Sequence, residues 1–206
     1  MKQKLIDFLK DLPIDLGQAT QRRTTKGKLI ALSLVPPGRG RTALDVGCRE
    51  GDQTRWLERR GYKVTSIDIE QSFERCIVMD AERGLDFANE SFDLVWCSEV
   101  IEHLKDPAFF RDEAMRVLKP GGRLVLTTPN SAFWFYPLMS LVGQTPQSLQ
   151  NSTHKQFFHW RDIKQLFPRG RILGFFPYFL IRCRIRRGIG FLSPTFVVET
   201  TKRKRP

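Results

Sequence analysis

Apolar positions along this chain keep two different rhythms. In Leu5–Leu9 and Leu29–Val35 they recur at helical spacing, which predicts two N-terminal helices, with Pro36, Pro37 and Gly38 closing the second. From residue 40 onward, short apolar runs, "RTALDV", "KVTSID", "RCIVMD", "FDLVWC" and "GGRLVLTT", alternate with segments of helical period such as Gln53–Arg60 and Ala108–Leu118. Runs of this length read as buried strands. Their alternation with helices predicts β-α-β units, hence an α/β, doubly wound, mostly parallel sheet with helices on both faces. Beyond Asn130 follow a Phe/Trp-rich stretch, a polar loop (Gln144–Thr153), a helix over Trp160–Phe167 and two final strands.

Composition narrows the class. A chain of 206 residues with 41% hydrophobic side chains is enough for one sizeable core, and one domain is expected. Cys48, Cys76, Cys97 and Cys183 are scattered, with no C-x-x-C pair and no secretory leader. They read as thiols in a reducing compartment, and the cytoplasm is the expected location. The longest apolar runs, near Ala132–Gly143 and Gly174–Ile181, fall short of the ~20 residues that span a bilayer.

The net charge of +12 is unevenly placed: residues 61–150 carry 8 Lys/Arg against 13 Asp/Glu, and residues 151–206 carry 13 against 2. A basic C-terminal quarter fits an anionic partner, RNA or a membrane surface, or equally a solvated basic face. Peripheral attachment at the inner face of a membrane is one expectation that follows.

Ligands of open α/β sheets sit at the carboxyl ends of strands. The first strand here ends in "ALDVGCREG", where Asp45 precedes a Gly47-x-x-x-Gly51 turn and a helix start whose free N–H groups suit a carboxylate or phosphate. The second strand ends in Asp68, placed to accept both hydroxyls of a ribose. Asp80, followed by Ala81, ends the third.

Taken together, "LDVGCREG", Asp68, "MDAE", "SFDLVWCSEVIEHL" and "EAMRVLKPGGRLVLTTPN" resemble the class I S-adenosylmethionine-dependent methyltransferases over roughly residues 40–130. The resemblance implies a Rossmann-like sheet of seven strands with the last antiparallel, and a single domain divided into N-terminal helices (1–38), a cofactor-binding core (40–130), a substrate cap with C-terminal strands (131–201) and a basic tail (202–206). It implies S-adenosylmethionine as cofactor, held by Asp45, Gly47, Cys48, Arg49 and Gly51 at its methionine part, Asp68 and Ile69 at the ribose, Asp80 and Ala81 at the adenine, and Cys97 and Ser98 near the sulfonium. Arg49 departs from the pattern, standing where the family usually has glycine. Its side chain either projects outward or pairs with the cofactor's carboxylate.

In "CSEVIEHLKDP", a helical turn after Cys97 would set Glu99, Glu102 and His103 at i, i+3 and i+4 on one face beside the methyl donor. Methyl transfer to a hydroxyl needs an oriented acceptor and a proton acceptor, a role for His103 or a divalent metal. The pattern resembles ubiquinone-biosynthesis O-methyltransferases and the enzymes that methylate the terminal 2′-hydroxyl of small RNAs. The second resemblance implies a metal shell of Glu99, Glu102, His103 and His154, the last from "THKQFFHW". The bland alternative is a histidine bonded within the fold; His159 is expected to cap the Trp160 helix.

The cluster Phe133, Trp134, Phe135, Tyr136, Leu138 and Met139 reads either as a lid over an aromatic or lipid-like acceptor or as core packing. In "GFFPYFLIRCRIRRGIGF", arginines beside apolar residues match a membrane-interface anchor or a phosphate track. Three function classes follow: an enzyme that O-methylates a small-molecule or lipid-linked acceptor, an RNA ribose 2′-O-methyltransferase, and a non-catalytic interaction protein for which Arg49 is the one sequence argument.

Overall fold

The computed structural model describes residues 25–140, 143, 145, 150, 153–176 and 183–204. The helix expected over Leu5–Leu9, Tyr178–Arg182 and the last two residues of the basic tail lie outside them. Helix α1 (Lys26–Leu34) starts where the Thr25 hydroxyl accepts a hydrogen bond from Lys28 N, and ends ahead of Pro36. There follow β1 (Thr42–Val46), α2 (Asp52–Arg59), β2 (Lys63–Asp68), β3 (Cys76–Val78) and β4 (Phe92–Ser98). The second half contains α3 (Pro107–Val117), β5 (Leu118–Pro129), α4 (Phe135–Ser140), α5 (Trp160–Leu166), β6 (Arg171–Phe175), β7 (Arg184–Ile185), α6 (Ile189–Leu192) and β8 (Thr195–Thr201).

The sheet runs β3-β2-β1-β4-β5-β8-β6-β7. Strands β1 to β5 pair in parallel, while β8 lies antiparallel between β5 and β6. The sequence-based count of seven strands is corrected to eight, because Arg184 and Ile185 turn back onto Phe175 and Gly174 as a two-residue hairpin strand. An exposed pair inside an arginine-rich segment carries too little periodicity to announce itself.

Alternate residues of each strand serve opposite faces. Leu44, Val46, Val95, Cys97, Leu124 and Leu126 pack against Phe110, Ala114 and Val117 of α3 and Ile163 of α5. Ala43, Leu94, Trp96, Val125 and Val197 pack against Ile30 and Ala31 of α1 and Leu57 of α2. Each large apolar side chain buried this way contributes roughly 1.5–3 kcal/mol. Exposed ion pairs such as Arg75–Glu58 contribute about 0–1 kcal/mol, so the two apolar layers decide the fold.

Neighbours of β1 diverge in sequence, β2 on one side and β4 on the other, so a crevice opens at the carboxyl ends of β1 and β4. Among the described residues no helix is long and apolar enough to cross a membrane.

Candidate functional site

The β1–α2 turn is tied down by its own backbone. Gly47 N and Cys48 N both donate to Ile67 O, at 2.9 and 3.1 Å, and Gly51 N donates to Cys48 O at 2.8 Å. Gly47 has φ +75°, and a Cβ there would run into Val100 Cγ2 from the loop after β4. Here glycine is required twice, for the dihedral and for the close approach. Arg49 adopts φ 45° without glycine's freedom, and the residue is exposed.

The backbone N–H of Arg49 donates to Asp68 Oδ2 at 2.8 Å, and Ile69 N donates to Oδ1 at 2.7 Å. Oδ1 also accepts Glu70 N at 3.4 Å, so it is Oδ2 of this half-buried carboxylate that keeps further acceptor capacity at the mouth of the crevice. Beside it Ile69 is 68% exposed, an apolar surface left open next to the acid. Asp80 caps the turn Ala81–Arg83 by accepting from Glu82 N at 3.0 Å, and Ala81 is buried beneath it.

Asp45, Cys48 and Cys97, all named from the sequence for the cofactor, are sealed off. Asp45 is 1% exposed and accepts a 2.6 Å hydrogen bond from Thr54 Oγ1, which in turn meets Ser66 Oγ at 2.8 Å. Burial pushes its carboxyl up to about 6 against the pull of the Thr54 hydroxyl. Its part in the site is to hold the turn from below. The Cys97 side chain is fully buried among the apolar residues on the α3 face, and burial drives its thiol upward, so only its backbone borders the crevice. Ser98, by contrast, is half-buried, with its hydroxyl 2.8 Å from Thr127 Oγ1.

The expected helical turn after Cys97 is corrected. Glu99 sits at φ 57°, its N–H held by Thr127 O at 2.9 Å and its carboxylate accepting from Thr127 Oγ1 at 2.7 Å. This left-handed residue rotates the chain before the short 3-10 turn Ile101–His103, so Glu99, Glu102 and His103 do not share one helical face. Glu99 falls outside the cluster that the fold assembles, in which ligand-type atoms of Glu102, His103 and His154 lie within 4.8 Å of one another.

Glu102 is 1% exposed. Its Oε2 accepts from Thr128 Oγ1 at 3.0 Å, while the buried Oε1 has no hydrogen-bond partner. Burial, then the nearby Glu99 charge, raises its carboxyl well above the usual range. Its carbonyl accepts both Lys155 N and Gln156 N at 2.9 Å, which docks the segment bearing His154 over the turn. Lys155 Nζ also reaches Glu82 Oε1 at 2.6 Å, joining that segment to the Ala81–Arg83 turn.

His103 Nδ1 lies 3.2 Å from Thr153 O. Thr153 Oγ1 lies nearer still, at 3.1 Å, so Thr153 fixes the ring from its Nδ1 edge. The His103 and His154 rings meet edge to face, centroids 4.8 Å apart. Burial, with the His103 charge, lowers His154 to about 4, leaving it neutral at pH 7. His159 heads α5 as expected, within a reciprocal capping box with Asp162.

Sequence reasoning missed Thr127, Thr128, Gln150 and Lys28. The threonines lie in an apolar strand run, and Lys28 on α1 faces both buried acids, Asp45 and Glu102, through its charge. The aromatic stretch resolves mostly as packing. Phe133, Phe135, Tyr136 and Met139 form a separate buried cluster, with Leu138 51% exposed.

Residues 44–126 match the family described as a methyltransferase domain. Over 129 residues the chain is 36% identical to the 2-methyl-6-phytyl-1,4-hydroquinone methyltransferase of Synechocystis sp., covering 52% of this chain and 40% of that protein. Over 131 residues it is 34% identical to the ubiquinone biosynthesis O-methyltransferase of Pseudomonas paraeruginosa, covering 56% of each. The chain thus spans about half the length of the curated relatives it matches. A SAM-dependent methyltransferase structure from Archaeoglobus fulgidus superposes with a TM-score of 0.62 at 18% identity, covering 86% of this chain and 95% of that one. One from Mesorhizobium loti gives 0.63 at 16%, covering 90% and 99%. At such identities the likeness is one of fold.

Proposed function

We propose that this chain, whose residues 44–126 match a methyltransferase domain, is an S-adenosylmethionine-dependent methyltransferase of class I that methylates a hydroxyl on a small-molecule or lipid-linked acceptor of the quinol type. The observation that carries the reading is an open Asp68–Ile69 ledge at the carboxyl end of β2, with the His103 imidazole in the turn beyond the carboxyl end of β4. The ledge fits the cofactor: a carboxylate with spare acceptor capacity on Oδ2 beside an exposed apolar side chain suits a ribose and its base. Bound there, S-adenosylmethionine supplies an activated methyl group on a sulfonium.

The chain's own residues then do two things. The turn Gly47–Gly51 and Asp68 fix the donor's position, converting an encounter into a near-unimolecular displacement. His103, anchored at its Nδ1 edge by Thr153, takes the acceptor's hydroxyl proton.

A second reading is favoured by the orphaned Glu102 Oε1. One carboxylate and two imidazoles within 4.8 Å form a donor set for a divalent cation, with nitrogen ligands leaning toward Mn²⁺, Fe²⁺ or Zn²⁺ rather than Mg²⁺. Glu102, His103 and His154 would hold it, and its chemistry there would be to acidify the acceptor hydroxyl.

The test is calorimetric titration of chelator-treated protein with S-adenosylmethionine and its demethylated product, repeated with Mn²⁺, followed by turnover on a soluble catechol or hydroquinone. Binding of both nucleosides with methyl transfer supports the proposal. Binding without transfer to any hydroxyl acceptor removes the acceptor assignment, and absence of binding removes the enzyme. Heat from Mn²⁺ alone, lost in Glu102→Gln, selects the metal reading.

A further inference from the structure

Gln150 is 6% exposed and sits behind the two histidines rather than in the crevice. Its Oε1 lies 3.3 Å from His154 Nδ1, its Nε2 donates to Ser131 Oγ at 3.2 Å, and its side chain also hydrogen-bonds the buried Tyr136. Ser131 Oγ also reaches Oε1 at 3.4 Å, so the amide oxygen faces both the imidazole and a hydroxyl. An amide oxygen only accepts, so the His154 nitrogen facing it must be the protonated one.

Resting on the methyltransferase reading for its consequence, we propose that Gln150 is a positioning residue. It locks His154 in the Nδ1–H tautomer, so that Nε2 is the nitrogen offered to a proton or a cation. His103 is likewise held at Nδ1, by Thr153 O at 3.2 Å and Thr153 Oγ1 at 3.1 Å. The two imidazoles stand edge to face beside Glu102, each held from behind by protein oxygens. Such partners behind an imidazole set its tautomer and ring orientation. Ser131 and Tyr136 hold the amide in place against His154.

The test is a spectroscopic one on the full chain carrying ¹⁵N-ring-labelled histidine. The chain has three histidines, so substitution of His159 and His103 in turn assigns the signals of His154. The wild-type protein is expected to show the proton on His154 Nδ1, and Gln150→Glu, which keeps an acceptor oxygen, is expected to retain it. Gln150→Met, of similar length without an acceptor, is expected to shift His154 toward the Nε2–H tautomer. Turnover should fall about 10- to 100-fold in Gln150→Met and recover in Gln150→Glu, with cofactor affinity unchanged in both.

A proton on Nε2 in the wild-type protein would overturn the proposal, and so would an unaltered tautomer in Gln150→Met. The wild-type spectrum alone decides the first point even where a variant fails to fold. The expected tautomer in a protein that transfers no methyl group would support the lock and count against the methyltransferase reading on which its use depends.

Discussion

Asparagine at position 45 should flatten the pH dependence of stability. Asp45 lies on the α2 side of β1 with 1% of its surface exposed, and one strong partner, Thr54 Oγ1 at 2.6 Å, stabilises its charge. Burial outweighs that bond and moves the carboxyl from 3.8 to about 6. The folded protein therefore holds a proton that the unfolded chain releases, and stability is lost as pH rises through the folded value. The contribution is fully present below pH 3.8, declines across the interval to about 6, and is gone above it. At about 1.4 kcal/mol for each tenfold change in proton affinity, the loss by pH 8 is roughly 3 kcal/mol. Asp45→Asn removes this titration while keeping shape and a hydrogen bond to Thr54. Urea unfolding at a series of pH values between 4 and 8 should show the variant gaining on the wild-type protein by roughly 3 kcal/mol over that range, or ~6–12 °C in melting temperature for a chain of this size. Parallel curves for the two proteins would refute the assignment. The buried carboxyl would then be ionised throughout, with solvation that the Thr54–Ser66 chain does not account for.

Four further outcomes follow. Gly47→Ala should lose at least ~2 kcal/mol of stability and most cofactor affinity, because an alanine at φ +75° also strikes Val100; calorimetry and thermal melts read both. Arg49→Gly exchanges a left-handed arginine for a more flexible unfolded chain, so stability should move by less than ~1 kcal/mol and cofactor affinity by less than about threefold. Asp68→Ala should abolish cofactor binding, whereas His103→Ala should leave it intact and cut turnover about 100-fold or more; equal loss of binding in both would erase the separation of donor and acceptor residues. Asn130→Ala should cost about 3 kcal/mol, since its buried Nδ2 donates to Ser193 O at 2.6 Å and Gly190 O at 3.0 Å, and its Oδ1 accepts Ala132 N, pinning α6 and the start of the cap.

What could be read in advance was whatever depends on a residue and its near neighbours. Sheet strands buried on both faces write continuous apolar runs, and so β1, β2, β4 and β5 were legible, as were the Gly47 turn and the acids that close the first two strands. His159 was legible as a cap because a capping box is local. Glu99 was not, because its left-handed dihedral is set by a partner on β5, Thr127, that fixes both its N–H and its carboxylate. Helical spacing is a good guide where the chain follows its own propensity, and it fails where a neighbouring strand dictates the turn.

The same distinction explains the histidines. His103 and His154 are brought together by backbone bonds from Lys155 and Gln156 to Glu102 O, contacts between amide groups that every residue owns and no side-chain pattern encodes. Only the resemblance to metal-assisted methyltransferases brought His154 into the expected set, and it brought Glu99 with it, which the fold leaves out. Gln150, Thr127 and Thr128 could not be found by pattern, because a polar residue is singled out by what it faces after folding. Buried polar groups must be satisfied or carry a cost of about 1–3 kcal/mol, so a polar side chain inside an apolar run deserves to be tested first as an orienting partner. By that rule "LVLTTP" already contained the two threonines that hold Glu99 and Glu102, and Glu102 Oε1, buried and without a hydrogen-bond partner among the described residues, is where a proton or a cation has to be sought.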